Sequence, residues 1–134
     1  MPHACTKHSA SVLNGLIYIV GAGIGHQGVF RFDPASDAWS TLAPTIYDRL
    51  YGASFVLAGS LFAAGGDNAD ASASVERYDV VTNTWTDVAD MLEGRSNFCA
   101  VTIGSASPAE EENLFDTLIA KAFSRQSHQI ISKT

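Results

Sequence analysis

The stretch Leu16-Ile17-Tyr18-Ile19-Val20-Gly21-Ala22 decides the fold, because it returns in the same chain as Ser60-Leu61-Phe62-Ala63-Ala64-Gly65-Gly66. Both copies are apolar runs that end in glycine, and the glycines Gly21 and Gly65 are 44 residues apart. A period between about 20 and 50 residues indicates a repeat protein. One repeat cannot bury its own apolar face, so its neighbours must cover it.

Further landmarks return at a slightly longer spacing. From the aromatic-aspartate pair onward the offset is 46 residues. Phe32-Asp33 matches Tyr78-Asp79, Trp39 matches Trp85, and Arg49 matches Arg95. The two additional residues therefore lie in the longer loop of the second copy, at residues 67–74.

Composition narrows the function classes. The 134 residues have the length of one modest domain and include 46% hydrophobic and 16% charged residues. The net charge of −6 and the eight dispersed Lys and Arg residues argue against a nucleic-acid partner, which needs clustered cations. No run approaches the roughly 18 apolar residues of a membrane span, and no secretory signal pattern opens the chain. We therefore expect a soluble, cytoplasmic protein whose two cysteines are ordinary thiols.

Each repeat contains four short strand patterns separated by turn signals. Asn14-Gly15 is a hairpin signal, and Asp33-Pro34 ends a strand and begins a turn. Short strands in this order predict an antiparallel meander. The predicted strands are 8–13, 16–20, 29–32 and 38–42 in the first copy, and 52–57, 60–64, 74–78 and 84–88 in the second.

The landmarks of the second copy resemble the kelch repeat. Gly65-Gly66 is followed by Val75-Glu76-Arg77-Tyr78-Asp79, by Thr82-Asn83-Thr84-Trp85, and by Met91 and Arg95. The first copy departs from the pattern, with Ala22 for the second glycine and Phe32 for the tyrosine. The resemblance implies an all-β fold, a partial kelch-type β-propeller built from four-stranded antiparallel blades. It also implies that Trp39 and Trp85 pack between adjacent blades.

The repeat register divides the chain into five parts. We expect residues 1–7 to be the tail of a preceding blade, 8–49 and 50–95 to be two kelch repeats, and 96–104 to be the first strand of a truncated third repeat. We expect residues 105–134 to form a C-terminal helix and tail. Two blades and one strand cannot close a ring. We therefore expect the chain to be an incomplete propeller or a fragment of a longer one.

The C-terminal part has a helical pattern. Ser107-Pro108-Ala109-Glu110 combines an N-cap serine, a proline at the first helical position and a capping-box glutamate. The pattern predicts an amphipathic helix over residues 108–125, with an apolar face from Leu114 to Phe123. We expect this face to pack on the last blade; self-association through the helix or through open blade edges is the alternative, and a peptide-binding helix is a third possibility.

Catalytic and cofactor sites are not indicated. Gly23-Ile24-Gly25-His26-Gln27-Gly28 satisfies a dinucleotide-binding pattern. A dinucleotide site requires a helix after this pattern, but here a predicted strand follows and ends at Asp33-Pro34. The four histidines lack metal-ligand spacing. We therefore predict no catalytic residue, no metal and no cofactor. The alternative is a fragment of a propeller enzyme of the sugar epimerase or oxidase type, since some kelch propellers are such enzymes.

The resemblance implies a protein-interaction module. Kelch propellers commonly present loops on one face to a protein or peptide, and many recognise substrates in ubiquitin ligases, alongside a BTB domain that has no counterpart in these residues. Contacts in the family follow the glycine-ended strand and the blade-closing arginine. Carried over, they are Gly23, Ile24, Asp67, Asn68, Leu50, Tyr51, Ser96 and Asn97, with Arg49 and Arg95 themselves. For the arginines and Asn97, the alternative role is inter-blade hydrogen bonding.

Overall fold

The computed structural model describes residues 2, 4–23 and 25–102. The helix predicted over residues 108–125, with its apolar face from Leu114 to Phe123, lies outside the described residues, as does Ile24. In the described part of the chain, no helix is long and apolar enough to cross a membrane.

Eight strands form two four-stranded antiparallel sheets. The first sheet has the order β1-β2-β3-β4 and the second has the order β5-β6-β7-β8. This arrangement confirms the predicted all-β fold and its two meanders, one for each repeat. The strands are β1 Ser9–Leu13, β2 Leu16–Ala22, β3 Gly28–Asp33, β4 Ala38–Leu42, β5 Ala53–Leu57, β6 Ser60–Ala64, β7 Val75–Asp79 and β8 Thr84–Asp87.

The hairpin turns follow from residues that tolerate a left-handed backbone. Asn14 and Gly15 have φ values of 52° and 77°, the pattern of a type I′ turn, and they join β1 to β2 as predicted. The second repeat uses Ala58 and Gly59 at the matching place, with φ values of 55° and 70°. The G-x-G-x-x-G run leads into strand β3, in agreement with the sequence prediction that no helix follows it.

Two equivalent aspartates shape the turns after the third strands. Asp33 accepts a hydrogen bond of 2.8 Å from the Ser36 hydroxyl, and Asp79 accepts one of 3.2 Å from the Thr82 amide. The Ser36 bond is the main cause that lowers the pKa of Asp33, and the Thr82 bond is the main cause that lowers the pKa of Asp79. The prediction that Asp33 begins a turn is confirmed, and Asp79 has the same role in the second repeat.

The main core lies between the two sheets. Tyr18, Val20 and Val29 of the first sheet meet Leu61 and Ala63 of the second in one buried cluster. The rings of Tyr78 and Trp85 complete it from the second sheet, with centroids 5.1 Å apart. Each sheet therefore buries one apolar face against its neighbour, as the repeat predicts.

Trp85 lies between the sheets, as expected, and it also holds the first sheet by a hydrogen bond. Its indole Nε1 donates to the Ala43 carbonyl at 3.0 Å, while the Ala43 amide donates to Asn83 Oδ1 at 2.9 Å. The Tyr78 hydroxyl donates to the same Asn83 oxygen at 2.7 Å. Both polar groups of Ala43 are thus bound by the following repeat, which fixes the relative position of the two sheets.

Residues 97–102 are not a strand, although residues 97–103 carry the pattern of one. The segment does lie beside β5, because the Asn97 amide donates to the Tyr51 carbonyl at 2.8 Å and the Thr102 hydroxyl donates to the Val56 carbonyl. Among the described residues no strand pairs with it. The strand pattern is therefore not realised in residues 97–102.

Candidate partner-binding face

One end of both sheets carries the loops that the sequence singled out. In antiparallel meanders the β2–β3 and β6–β7 loops lie at the same end as the connection from β4 to β5 and the segment after β8. We call this end the loop face; it consists of residues 5–8, 23, 25–27, 43–52, 65–74 and 88–97. Backbone bonds tie its parts together, for example Asp67 N to Leu50 O at 2.8 Å and Arg95 N to Ser72 O at 2.7 Å.

A backbone ladder crosses the loop face at three equivalent repeat positions. The Tyr51 amide donates to the Lys7 carbonyl at 3.2 Å, and the Asn97 amide donates to the Tyr51 carbonyl at 2.8 Å. All three residues are left-handed, with φ values of 62°, 59° and 55° for Lys7, Tyr51 and Asn97. The Lys7 ammonium also lies 4.7 Å from the centre of the Tyr51 ring. Sequence reasoning missed this ladder, although the repeat register aligns its three residues.

Glycine is required where the loop face meets the ends of β2 and β6. A Cβ atom on Gly21 would lie 2.9 Å from the Arg49 carbonyl oxygen, and one on Gly65 would lie 2.6 Å from the Phe98 ring. Both glycines also have positive φ, at 86° and 65°. The glycine that marks each repeat therefore permits close contact between a strand end and the next connection.

Arg49 is buried beneath the loop face, in an ion pair with Glu76. The Arg49 side chain is 1% exposed, and Nε donates to Glu76 Oε1 at 3.0 Å, with Nη2 donating to the same oxygen. Nη1 donates to the carbonyls of Gly65 and Ser74 at 3.0 and 3.1 Å. Partners therefore cannot reach this guanidinium, and the structure gives Arg49 the inter-blade hydrogen bonding that was its alternative role.

Glu76 also fixes the connection between the sheets. Its Oε2 accepts from the Ile46 amide at 2.7 Å and its Oε1 accepts from the Tyr47 amide at 3.2 Å. Sequence reasoning missed Glu76 as the partner of Arg49. The available signal was a glutamate directly after Val75, on a strand with a buried face, because a buried charge needs a partner.

The other sequence-predicted contacts differ in accessibility. Asp67, Asn68, Ser96 and Asn97 are exposed, whereas Gly23, Leu50, Tyr51 and Arg95 are half-buried. The Asn68 side chain shapes its own loop, since Oδ1 accepts from the Asp70 amide at 3.0 Å and from the Ala71 amide at 3.1 Å.

The second repeat brings four predicted contacts together. Leu50 O accepts from Asp67 N, and Tyr51 O accepts from Asn97 N, so three separate connections converge beside Tyr51. Gly23 lies in the corresponding loop of the first repeat, where its carbonyl accepts from the His26 amide at 3.3 Å. In the described part of the chain, no three His, Cys, Asp or Glu side chains are grouped as metal ligands.

Comparison with known proteins identifies the repeat. A family profile for the Kelch motif matches residues 48–92. Kelch-like protein 26 of Danio rerio is 36% identical over 104 residues, which are 71% of this chain and 17% of that protein. Kelch-like protein 25 of Xenopus tropicalis is 28% identical over 76% of this chain and 20% of its own length.

A plant protein also matches. F-box protein AFR of Arabidopsis thaliana is 27% identical over 115 residues, covering 78% of this chain and 31% of that protein. The chain therefore spans less than a third of the length of these curated relatives.

Proposed function

Because the chain belongs to the kelch-repeat family, we propose that it is a non-catalytic module that binds a protein or peptide through its loop face. The observation that carries this proposal is the convergence of three connections around Tyr51, with Asp67, Ser96 and Asn97 exposed beside it. Loops that a rigid scaffold holds in place are where binding residues concentrate.

The chemistry of this surface suits a polypeptide. Tyr51 is half-buried and offers a large ring with a polar tip, and tyrosine is enriched among residues that dominate binding energy. The Asn97 amide and the Ser96 hydroxyl can donate and accept hydrogen bonds, while Asp67 adds a carboxylate. The binding geometry is preorganised because backbone bonds already hold these connections, which reduces the entropy lost on binding.

The names of the relatives support a finer proposal. One match is an F-box protein and others are Kelch-like proteins, and the family resemblance associates kelch propellers with substrate recognition in ubiquitin ligases. We extend the proposal to that role: the loop face would present a substrate protein to such an assembly, with other parts of the assembly supplying the catalysis.

The proposal is tested with side-chain changes that keep the left-handed backbone. Tyr51→Asn removes the ring and Asn97→Gly removes the amide, and both replacements tolerate positive φ. Val81→Ala is the matched control, because Val81 is 90% exposed on the β7–β8 turn at the opposite end of the sheet. Proteins cross-linked to each variant in cell extract are quantified, and each candidate is then purified and titrated by calorimetry.

We expect one purified partner to lose at least about tenfold in affinity for Tyr51→Asn and for Asn97→Gly, and to bind Val81→Ala as it binds the wild type. Circular dichroism confirms that the variants are folded. A partner that binds all three variants equally would contradict a site at the loop face.

A further inference from the structure

The aromatic ring on which the loop face converges already carries a cation. The Lys7 ammonium lies 4.7 Å from the centre of the Tyr51 ring, within the distance at which the face of a tyrosine ring attracts a positive charge. Lys7 is exposed and Tyr51 is half-buried, so solvent reaches the contact. A cation–ring contact in water is weak, and a second cation that is held by further groups can therefore replace Lys7 on the ring.

Two carboxylates border the same ring. Asp48 Oδ1 accepts from the Leu50 amide at 2.8 Å, and the Leu50 carbonyl accepts from the Asp67 amide at 2.8 Å. Both aspartates are thus joined by hydrogen bonds to the residue that precedes Tyr51. Asp67 is exposed and Asp48 is half-buried. The face of an aromatic ring beside carboxylates is the chemistry that binds a Lys or Arg side chain.

The rest of the loop face adds to this negative charge. The Arg49 guanidinium is buried and paired with Glu76, so it cannot offset the charge at the surface. The described carboxylates of the loop face are those of Asp48, Asp67, Asp70, Asp90 and Glu93, and its accessible Lys and Arg side chains are those of Lys7 and Arg95. This surface therefore attracts a positively charged partner and repels an acidic one.

We infer that the loop face binds a basic polypeptide segment, which places a Lys or Arg side chain over the Tyr51 ring in place of Lys7. The inference rests on the proposed function, because it names the chemistry of the polypeptide that the loop face binds. Lys7 is then an internal competitor. Removal of its charge frees the ring and also removes its repulsion of the incoming cation.

The test uses the full chain and labelled synthetic peptides of equal length. Each peptide repeats glycine, serine and a third residue, and the third residue is arginine in one peptide, glutamine in the second and glutamate in the third. Fluorescence anisotropy at low salt measures the binding of each peptide to the wild-type chain and to its variants. Circular dichroism checks that every variant is folded.

The variants change the ring, its internal cation and one carboxylate. Tyr51→Asn and Lys7→Asn keep the left-handed backbone, because asparagine tolerates positive φ. Asp67→Asn removes a carboxylate beside the ring. Asp37→Asn is its matched control, since Asp37 is also exposed, changes the net charge equally and lies in the turn between β3 and β4, at the opposite end of the sheet.

We expect the arginine peptide to bind the wild-type chain at least about tenfold more tightly than the glutamine peptide, and the glutamate peptide to bind most weakly. Lys7→Asn should bind the arginine peptide about two- to fivefold more tightly than the wild type, the size of one exposed cation–ring contact. Tyr51→Asn and Asp67→Asn should each bind it about two- to fivefold more weakly, and Asp37→Asn should bind it as the wild type does.

The inference is overturned if the arginine peptide binds no more tightly than the glutamine peptide. Equal losses in Asp67→Asn and Asp37→Asn also overturn it, because they would show attraction to the net charge of the chain alone. An unchanged or lower affinity in Lys7→Asn contradicts the competition at the ring. The proposed function is judged separately, by the cross-linked partner: an acidic or neutral partner segment that loses affinity for Tyr51→Asn and Asn97→Gly keeps that function and overturns this inference.

Discussion

Replacing Glu76 with glutamine should destabilise the protein by about 3–5 kcal/mol, the cost of leaving a buried charge without its partner. Glu76 is fully buried and Arg49 is 1% exposed, so water cannot replace the lost contact. Glutamine keeps the shape of the side chain and one acceptor oxygen. Its amide group is a donor, however, and it would face donors from either Arg49 or the Ile46 amide.

This loss is large compared with the total stability. The free energy of unfolding of a domain of this size is about 5–15 kcal/mol, so the substitution removes a substantial share of that stability. Urea unfolding followed by tryptophan fluorescence is a suitable assay, because the Trp85 indole is buried between the sheets and Trp39 is half-buried. Arg77→Gln is the matched control, since Arg77 is the neighbouring residue, is exposed, and should cost no more than about 0.5 kcal/mol.

A double-mutant cycle separates the pair from its surroundings. Arg49→Met and Glu76→Leu are each expected to leave one buried charge unpaired, whereas the double variant leaves none. We therefore expect the double variant to be destabilised by less than the sum of the single variants, with a coupling energy of about 2–3 kcal/mol. Coupling below about 0.5 kcal/mol, or a cost of Glu76→Gln no larger than that of Arg77→Gln, would refute the view that this pair joins the sheets.

Three further outcomes follow from other contacts. Trp85→Phe should cost about 1–3 kcal/mol in urea unfolding, because the Ala43 carbonyl loses its donor and the contact loses part of a large ring. Gly65→Ala should be destabilised more than Gly59→Ala. Both glycines have positive φ, but only at Gly65 would the new methyl group overlap a ring and a carbonyl. Equal melting temperatures of the two variants would contradict this expectation. Asp79 has a lowered pKa, so its stabilising effect is present above about pH 4 and is lost as the pH falls through the folded-state pKa. The melting temperature of Asp79→Ala should therefore be lower than that of the wild type at neutral pH. This difference in melting temperature should shrink in acid.

The sequence predicts the fold well because its local signals agree with one another. Asn14-Gly15 sets a hairpin, Asp33 and Asp79 set turns, and the repeat itself places one sheet after another. What it cannot predict is which polar side chain is used inside the structure. The repeat pattern places Arg49 at a binding surface, but its guanidinium is buried because Glu76 is 27 residues away in the chain and adjacent in space. Such a pairing depends on how two sheets pack, which no local pattern contains.

The positions Lys7, Tyr51 and Asn97 combine a fixed backbone with different side chains. Their structural task is carried by backbone amides and carbonyls and by a left-handed conformation, and three chemically different residues occupy these positions. Their side chains can therefore differ while the ladder of backbone hydrogen bonds is kept. At Arg49 and Gly65 the opposite holds, because the side chain or its absence is itself the structural contact. Under the proposed function, we therefore expect specificity for a partner to reside at Tyr51 and Asn97, where the backbone is fixed and the side chain is not.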